Sequence, residues 1–138
     1  MEIENKVIVI TGGAGGIGQS VAERFVYEKA KVVIVLDINF DNFDSKGNKL
    51  ISKVCDVTDE KELTRIIDEI NDEFGLIDIF CSNAGILSLG NEQTSRKDWN
   101  KNWNLHVMSH VFAAKKLIPE MLKRGRGYFV NTSSAAGL

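Results

Sequence analysis

The chain has 138 residues, of which 43% are hydrophobic, and its 17 basic and 19 acidic side chains leave a net charge of −2. This length suits one domain, residues 1–138, and this composition is typical of a globular protein and argues against disorder. The charges form no basic stripe and no apolar run approaches membrane-spanning length, so we expect neither a nucleic-acid nor a membrane surface.

The N-terminus and the cysteines indicate the compartment. The first residues, MEIENK, are charged and lead directly into a strand-like run, which is unlike a signal peptide. Cys55 and Cys81 lie in apolar segments without a neighbouring His or Cys, which predicts buried thiols and no metal site. We therefore expect a cytoplasmic protein.

The first part of the chain alternates strand and helix patterns. The β-branched run 6–10 predicts a strand buried on both faces, and residues 17–25 have helical apolar spacing. Residues 31–36 predict a second buried strand. The polar stretch 39–49 predicts a loop, with a broken helix as the alternative, and 51–55 predict a short third strand.

The pattern continues in the second part of the chain. Thr58 is the expected N-cap of a helix that ends at Gly75. Residues 76–81 predict a fourth strand, 104–123 a long helix that Pro119 is expected to kink, and 127–131 a fifth strand. This order predicts an α/β fold with a Rossmann-type doubly wound parallel sheet, which binds its ligand at the carboxyl ends of the strands.

The first predicted strand ends in a glycine-rich turn. Residues 13–18 match G-x-G-x-x-G, and they have a strand before them and a helix after them, as a dinucleotide-binding turn requires. Glycines allow the backbone to approach a pyrophosphate, which the helix N-terminus attracts. A turn that merely packs helix on sheet is the alternative.

The second predicted strand ends at Asp37. A carboxylate at this place can accept hydrogen bonds from a ribose 2′,3′-diol and would repel a 2′-phosphate. No Arg or Lys lies in the glycine turn or just after Asp37, so the charges favour NAD over NADP. A solvated turn residue is the alternative.

Four motifs at the strand ends together resemble the short-chain dehydrogenase/reductase family, over essentially the whole chain. The glycine turn also reads T-G-x-x-x-G-x-G, from Thr11 to Gly18, and the third strand is followed by Asp56. Residues 82–85, Ser-Asn-Ala-Gly, match the family's N-N-A-G except for Ser82. The fifth strand is followed by the serines of residues 131–137.

The resemblance implies a role for each matching residue. The expected cofactor-binding residues are Gly12, Gly16, Ile17, Gly18, Asp37, Asp56, Val57, Asn83, Ala84 and Gly85. Ser134 matches the catalytic serine that hydrogen-bonds the substrate oxygen. Each of three residues has an alternative role. Asp56 could be a turn residue, Asn83 could be purely structural, and Ser134 could satisfy backbone groups at the strand end.

The chain departs from the family pattern at two places. His106 stands where the family's proton relay usually has Asn; it could join the relay, since His titrates near neutrality, or it could be a tolerated substitution. The family's Tyr-x-x-x-Lys is expected beyond Ser134, and we expect that neither Tyr27, in the first predicted helix, nor Tyr128, at the start of the fifth strand, fits this motif. We therefore expect a sheet that is incomplete at the C-terminus.

Three functions are open at this point. The first is the cofactor-binding part of an NAD-dependent oxidoreductase that moves hydride between NAD and a secondary alcohol or ketone. The 138-residue part alone is expected to be inactive, and the full-length enzyme is expected to be a homodimer or homotetramer. The second is a dinucleotide-binding module without catalysis. The third is a scaffold that associates through the long helix.

Overall fold

The computed structural model describes residues 2–41, 43 and 47–134, and it shows a five-stranded sheet with helices on both faces. Along the chain the elements are β1 (Val7–Thr11), α1 (Gly16–Tyr27), β2 (Val32–Asp37), β3 (Leu50–Val54), α2 (Glu60–Phe74), β4 (Ile79–Ser82), α3 (Arg96–Trp103), a π-helical segment (Asn104–Met108), α4 (Ser109–Lys123) and β5 (Tyr128–Asn131).

All strands are parallel, in the order β3-β2-β1-β4-β5. The chain moves outward from β1 to β3, then returns to the other side of β1 with β4. This confirms the predicted Rossmann-type doubly wound sheet. The order reverses between β1 and β4, which is where such sheets bind their ligands.

Two apolar clusters hold the layers together. On one face, alternate strand residues such as Val9, Ile34 and Phe80 pack with the apolar faces of α2 and α4. On the other face, residues such as Ile8 and Val33 pack under α1. The central strands are buried on both faces, as their continuous β-branched sequence predicts.

The helices differ from the prediction in their boundaries. Asp59, and not Thr58, is the N-cap of α2, since its carboxylate accepts from the backbone N–H groups of Lys61 and Glu62. The predicted long helix, 104–123, consists of the π-helical segment Asn104–Met108 followed by α4, which starts at Ser109. The helix α3, which was not predicted, directly precedes it. Pro119 lies within α4, which continues to Lys123, so the kink stays a prediction.

The bounds of the fourth strand also need correction. This strand begins at Ile79 and not at residue 76, since residues 76–78 connect α2 to the sheet. Between 39 and 49, the described residues include no helix, which agrees with the predicted loop. Over the described ranges, no helix is both long and apolar enough to cross a membrane.

Strand β5 is an edge strand with little cover. It pairs with β4 from Tyr128 to Asn131, and Tyr128 and Val130 remain about half exposed, at 51% and 48%. Their side chains lie on the α1 face of the sheet, in register with the buried Ile79 and Cys81.

Candidate functional site

A cleft of about 710 Å³ opens at the carboxyl ends of the strands, at the switch point of the sheet. All of the predicted cofactor-binding residues line it except Gly16, which lies on the outer side of the glycine turn. Its walls also include residues that the sequence analysis did not assign to cofactor binding: Gly15, Leu36, Ile38, Cys55, Thr58, Ile86, Lys101, Leu105 and Thr132.

The glycine turn is packed tightly at both ends. A Cβ on Gly12 would lie 2.6 Å from the Ala84 Cα, and Gly12 has a φ of +63°. A Cβ on Gly18 would lie 2.2 Å from the Gly12 carbonyl oxygen. These two glycines are therefore required for the backbone to cross from β1 into α1 beside β4.

The tip of the turn is open. A Cβ on Gly15 or Gly16 would meet no atom within 4 Å. Gly15 is the N-cap of α1, and among the described residues no side chain caps this helix and no acid lies in its first turn. The free N–H groups and the positive end of the helix dipole fit an anionic diphosphate.

Asp37 links the end of β2 to the glycine turn. Its Oδ2 accepts from the Ala14 N–H at 3.0 Å, and its Oδ1 accepts from the Ile38 N–H at 2.8 Å. The carboxylate is half-buried and lines the cleft beside the turn. A carboxylate at this place can accept hydrogen bonds from hydroxyl groups.

Asp56 and Val57 form another part of the cleft wall. Asp56 Oδ1 accepts from the Thr58 N–H at 2.9 Å and from the Thr58 hydroxyl at 2.7 Å, and the Asp56 N–H donates to Glu62 Oε2. Val57 is buried. Asp56 is thus a turn residue before α2 and also a cleft residue, so both readings of its role have a structural basis.

Asn83 connects three strand ends. Its Nδ2 donates to the carbonyl oxygens of Thr11 and Gly12, at 3.2 and 3.1 Å, and its Oδ1 accepts from the Thr132 hydroxyl at 3.1 Å. The buried Thr11 hydroxyl accepts from the N–H groups of Asn83 and Ala84. This network fixes the glycine turn against β4 and β5.

The two predicted catalytic residues lie outside the cleft lining. His106 is exposed on the π-helical segment, and its Nε2 lies 3.2 Å from the Ile86 carbonyl oxygen. A Cβ on Gly85 would lie 3.0 Å from its Cε1, so the ring covers the end of the Asn83–Gly85 motif. Ser134 is exposed and is the last described residue.

The pair Tyr27 and Lys31 has the literal Tyr-x-x-x-Lys spacing, which is a correction to the expectation that no tyrosine of the chain fits it. The structure shows why this match has no catalytic meaning. Tyr27 is 78% exposed at the C-terminal end of α1, and the Lys31 Nζ donates at 2.6 Å to the carbonyl oxygen of Phe74, the last residue of α2. Neither residue lines the cleft.

Both cysteines are buried thiols, as predicted. Burial raises the pKa of Cys55 to about 12, with a smaller contribution from nearby Glu62, and burial raises the pKa of Cys81 to about 11. Burial also lowers the pKa of His110, with a smaller contribution from His106. Within the described ranges, no three His, Cys, Asp or Glu residues form a metal-binding group.

The sequence did not predict that Lys101, Leu105 and Thr132 line the cleft, because they reach it through tertiary contacts that have no local sequence signal. Thr11 belongs to the predicted glycine motif, but its hydrogen bonds to Asn83 and Ala84 were not predicted. A polar residue that ends a buried β-branched strand is a usable signal for such a buried hydrogen bond.

The doubly wound parallel sheet and its glycine-rich turn define a Rossmann-type, dinucleotide-binding class of protein. The family model for short chain dehydrogenase matches residues 6–138, and the chain belongs to this family. The family uses nicotinamide dinucleotide cofactors.

The chain is similar in sequence to known dehydrogenases and reductases, and similar in structure to a solved dehydrogenase. The chain is 33% identical to meso-2,3-butanediol dehydrogenase of Serratia marcescens and 32% identical to a 3-oxoacyl-acyl-carrier-protein reductase of Thermotoga maritima, in each case over 100% of this chain. A ligand-free aldohexose dehydrogenase of Thermoplasma acidophilum superposes with a TM-score of 0.85 and 35% identity over 96% of this chain. The chain spans 57%, 59% and 50% of these three proteins, which is about half their length.

Proposed function

We propose that residues 1–138 form one NAD-binding domain, the cofactor-binding part of an oxidoreductase that moves hydride between NAD and a secondary alcohol or ketone. The observation that carries the proposal is the position of Asp37, which lines the cleft and is hydrogen-bonded to the glycine turn. A carboxylate there receives ribose hydroxyls and disfavours the 2′-phosphate of NADP.

The residues present fit the cofactor. The open tip at Gly15 and Gly16 leaves room for the diphosphate, and the first turn of α1 supplies N–H donors without a competing acid. Asp56 and Val57 would contact the adenine, and Ala84 and Gly85 would lie towards the nicotinamide end. Gly12, Ile17, Gly18 and Asn83 would shape the wall between these two ends.

When bound, NAD would supply the hydride chemistry, and the protein's role would be to position the substrate and handle the proton. In our proposal the Ser134 hydroxyl hydrogen-bonds the substrate oxygen. The His106 Nε2, next to the Ile86 carbonyl oxygen, takes part in the proton relay or orients the backbone after Gly85. We expect the 138-residue chain to bind NAD without turnover, because no Tyr-Lys pair is among the described residues that line its cleft.

The substrate class rests on analogy with relatives. The named relatives are dehydrogenases of a diol and of an aldohexose and a reductase of a 3-oxoacyl group. All three names fit hydride transfer at a carbon that carries oxygen. We extend this class, a small alcohol or ketone, to the protein.

The proposed oligomer, a dimer or tetramer, is supported by α4. Val111, Ile118 and Leu122 are spaced to lie on one face of this helix and are 45%, 40% and 75% exposed. Lys115 lies between them on the same face, and exposed apolar side chains with polar neighbours are a common mark of a protein contact. We also propose a cytoplasmic location, for which the two buried thiols are the support.

Calorimetric titration with NAD and NADP tests the cofactor assignment. We expect saturable binding of NAD and affinity for NADP weaker by about tenfold or more, the effect of about 1.4 kcal/mol of charge repulsion. The double variant Asp37→Ser, Ile38→Arg should reverse this preference, and Asp41→Ser, which changes a nearby carboxylate outside the cleft, should leave it unchanged. Equal affinity for both cofactors would refute the NAD assignment, and binding of neither would refute the whole proposal.

A further inference from the structure

The glycine turn has two rigid ends and an open tip. Gly12 and Gly18 are fixed by contacts with Ala84 and with each other, whereas Gly15 and Gly16 have open space around them. From its helix side the tip is held by bonds within α1, from the Gln19 N–H to the Gly15 carbonyl and from the Ser20 hydroxyl to the Gly16 carbonyl. A diphosphate would bind at this tip.

From its strand side the tip is held by Asp37. The Ala14 N–H donates to Asp37 Oδ2 at 3.0 Å, across 23 positions of the sequence. Asp37 Oδ1 is fixed in turn by the Ile38 N–H at 2.8 Å. Both carboxylate oxygens therefore already accept one backbone hydrogen bond, and the carboxylate cannot turn without releasing Ala14.

A carboxylate has about four acceptor positions, so these two bonds leave room for two more donors. The cleft side of Asp37 is where ribose hydroxyls would add. One carboxylate would then serve the ribose subsite and hold the backbone of the diphosphate subsite.

We propose that Asp37 is a positioning residue for the phosphate-binding turn as well as a ribose ligand, so that the two subsites are coupled through its carboxylate. This inference rests on the proposed function. It predicts that Asp37 affects the binding of a nucleotide that has no ribose hydroxyl to offer it.

The test compares ADP with 2′,3′-dideoxy-ADP, measured by calorimetry on the wild type, Asp37→Asn and Asp37→Ala. Both variants lose the negative charge, which by itself should strengthen binding of an anion. They differ in that the Asn carbonyl can still accept from Ala14, and Ala cannot. The pair therefore isolates the acceptor from the charge.

We expect Asp37→Ala to bind dideoxy-ADP about fivefold more weakly than Asp37→Asn, the effect of one lost hydrogen bond. Hydrogen exchange of the Ala14 amide, measured by NMR without ligand, should be faster in Asp37→Ala than in the other two proteins. A residue that acts on the ribose alone would change neither quantity. Urea unfolding checks that the variants fold. If Asp37→Ala does not fold, Asp37→Ser is used in its place, because the Ser hydroxyl is too short to replace the carboxylate.

The outcomes separate this inference from the proposed function. Equal affinity of the Ala and Asn variants for dideoxy-ADP would overturn the positioning role and leave the NAD assignment intact. Failure of the wild type to bind ADP at all would overturn both, because there would be no nucleotide site to position.

Discussion

Replacing Asn83 with Ala should destabilise the protein by about 2–3 kcal/mol. The side chain makes three hydrogen bonds, to the carbonyl oxygens of Thr11 and Gly12 and from the Thr132 hydroxyl. Each is worth about 1 kcal/mol net, and a carbonyl left without a donor adds to the loss. Because Asn83 is only half-buried, water can recover part of this sum.

Thr132→Val is the matched control. It removes the single bond from the Thr132 hydroxyl to Asn83 and leaves both bonds to the glycine turn, so its cost should be about 0.5–1 kcal/mol. Adding Thr132→Val to Asn83→Ala should cost almost nothing further, since the shared bond is already lost.

Urea unfolding at neutral pH measures these free energies, and an unchanged m-value would show that the unfolded state is not altered. A loss below about 0.5 kcal/mol for Asn83→Ala, or one equal to that of Thr132→Val, would refute the reasoning. In that case the contacts to the glycine turn would contribute nothing, and the turn would be held by glycine packing alone.

Three further perturbations test other parts of the fold. Gly18→Ala should lower the free energy of unfolding in urea by about 2 kcal/mol or more, because its Cβ would lie 2.2 Å from the Gly12 carbonyl oxygen. Gly15→Ala, which has open space around its Cβ, should change the same quantity by less than about 0.5 kcal/mol. Equal effects would contradict the packing argument. Arg124→Met removes one of the two guanidinium partners of the partly buried Asp78, at 3.4 Å, and leaves Arg126 at 3.8 Å, so it should cost about 1–2 kcal/mol in the same assay; an effect near zero would show that this pair is solvated. The pKa of Cys55 is raised to about 12 from 9.0, so the contribution of this thiol to stability is full below pH 9 and is lost between pH 9 and about 12. Between pH 8 and 10.5, the free energy of unfolding should therefore fall less in Cys55→Ala than in the wild type. An identical fall would refute this.

The sheet was predictable because its strands carry their own signal. The runs of five and four β-branched residues in β1 and β2 are typical of strands buried on both faces, and the switch point then follows from the order of the elements. The glycine turn and Asp37 were predictable for the same reason, since each comes directly after such a strand. The structure places both at the cleft, as the motif requires.

The helix α3 was not predictable from its apolar pattern. It buries no side chain, and Trp99 and Trp103 remain 64% and 59% exposed, so its sequence has no core face to read. Its one local signal is Ser95, whose hydroxyl caps the helix by accepting from the Asp98 N–H. The N-cap of α2 was misplaced by one residue because Thr58 and Asp59 are both good caps, and only the contacts distinguish them.

The π-helical segment of residues 104–108 makes the cleft sensitive to a change of a single residue in chain length. An i→i+5 turn contains one residue more than an α-helical turn, and this extra residue sets the rotation of α3 about the helix axis relative to α4. Deleting one residue there would leave a continuous α-helix, and each α-helical residue turns the chain by about 100°. Lys101 and Leu105 would then rotate away from the cleft, and Leu105 would lose its packing against the core cluster of α2 and α4. An indel at this point would therefore reshape the cleft and the edge of the core beside it.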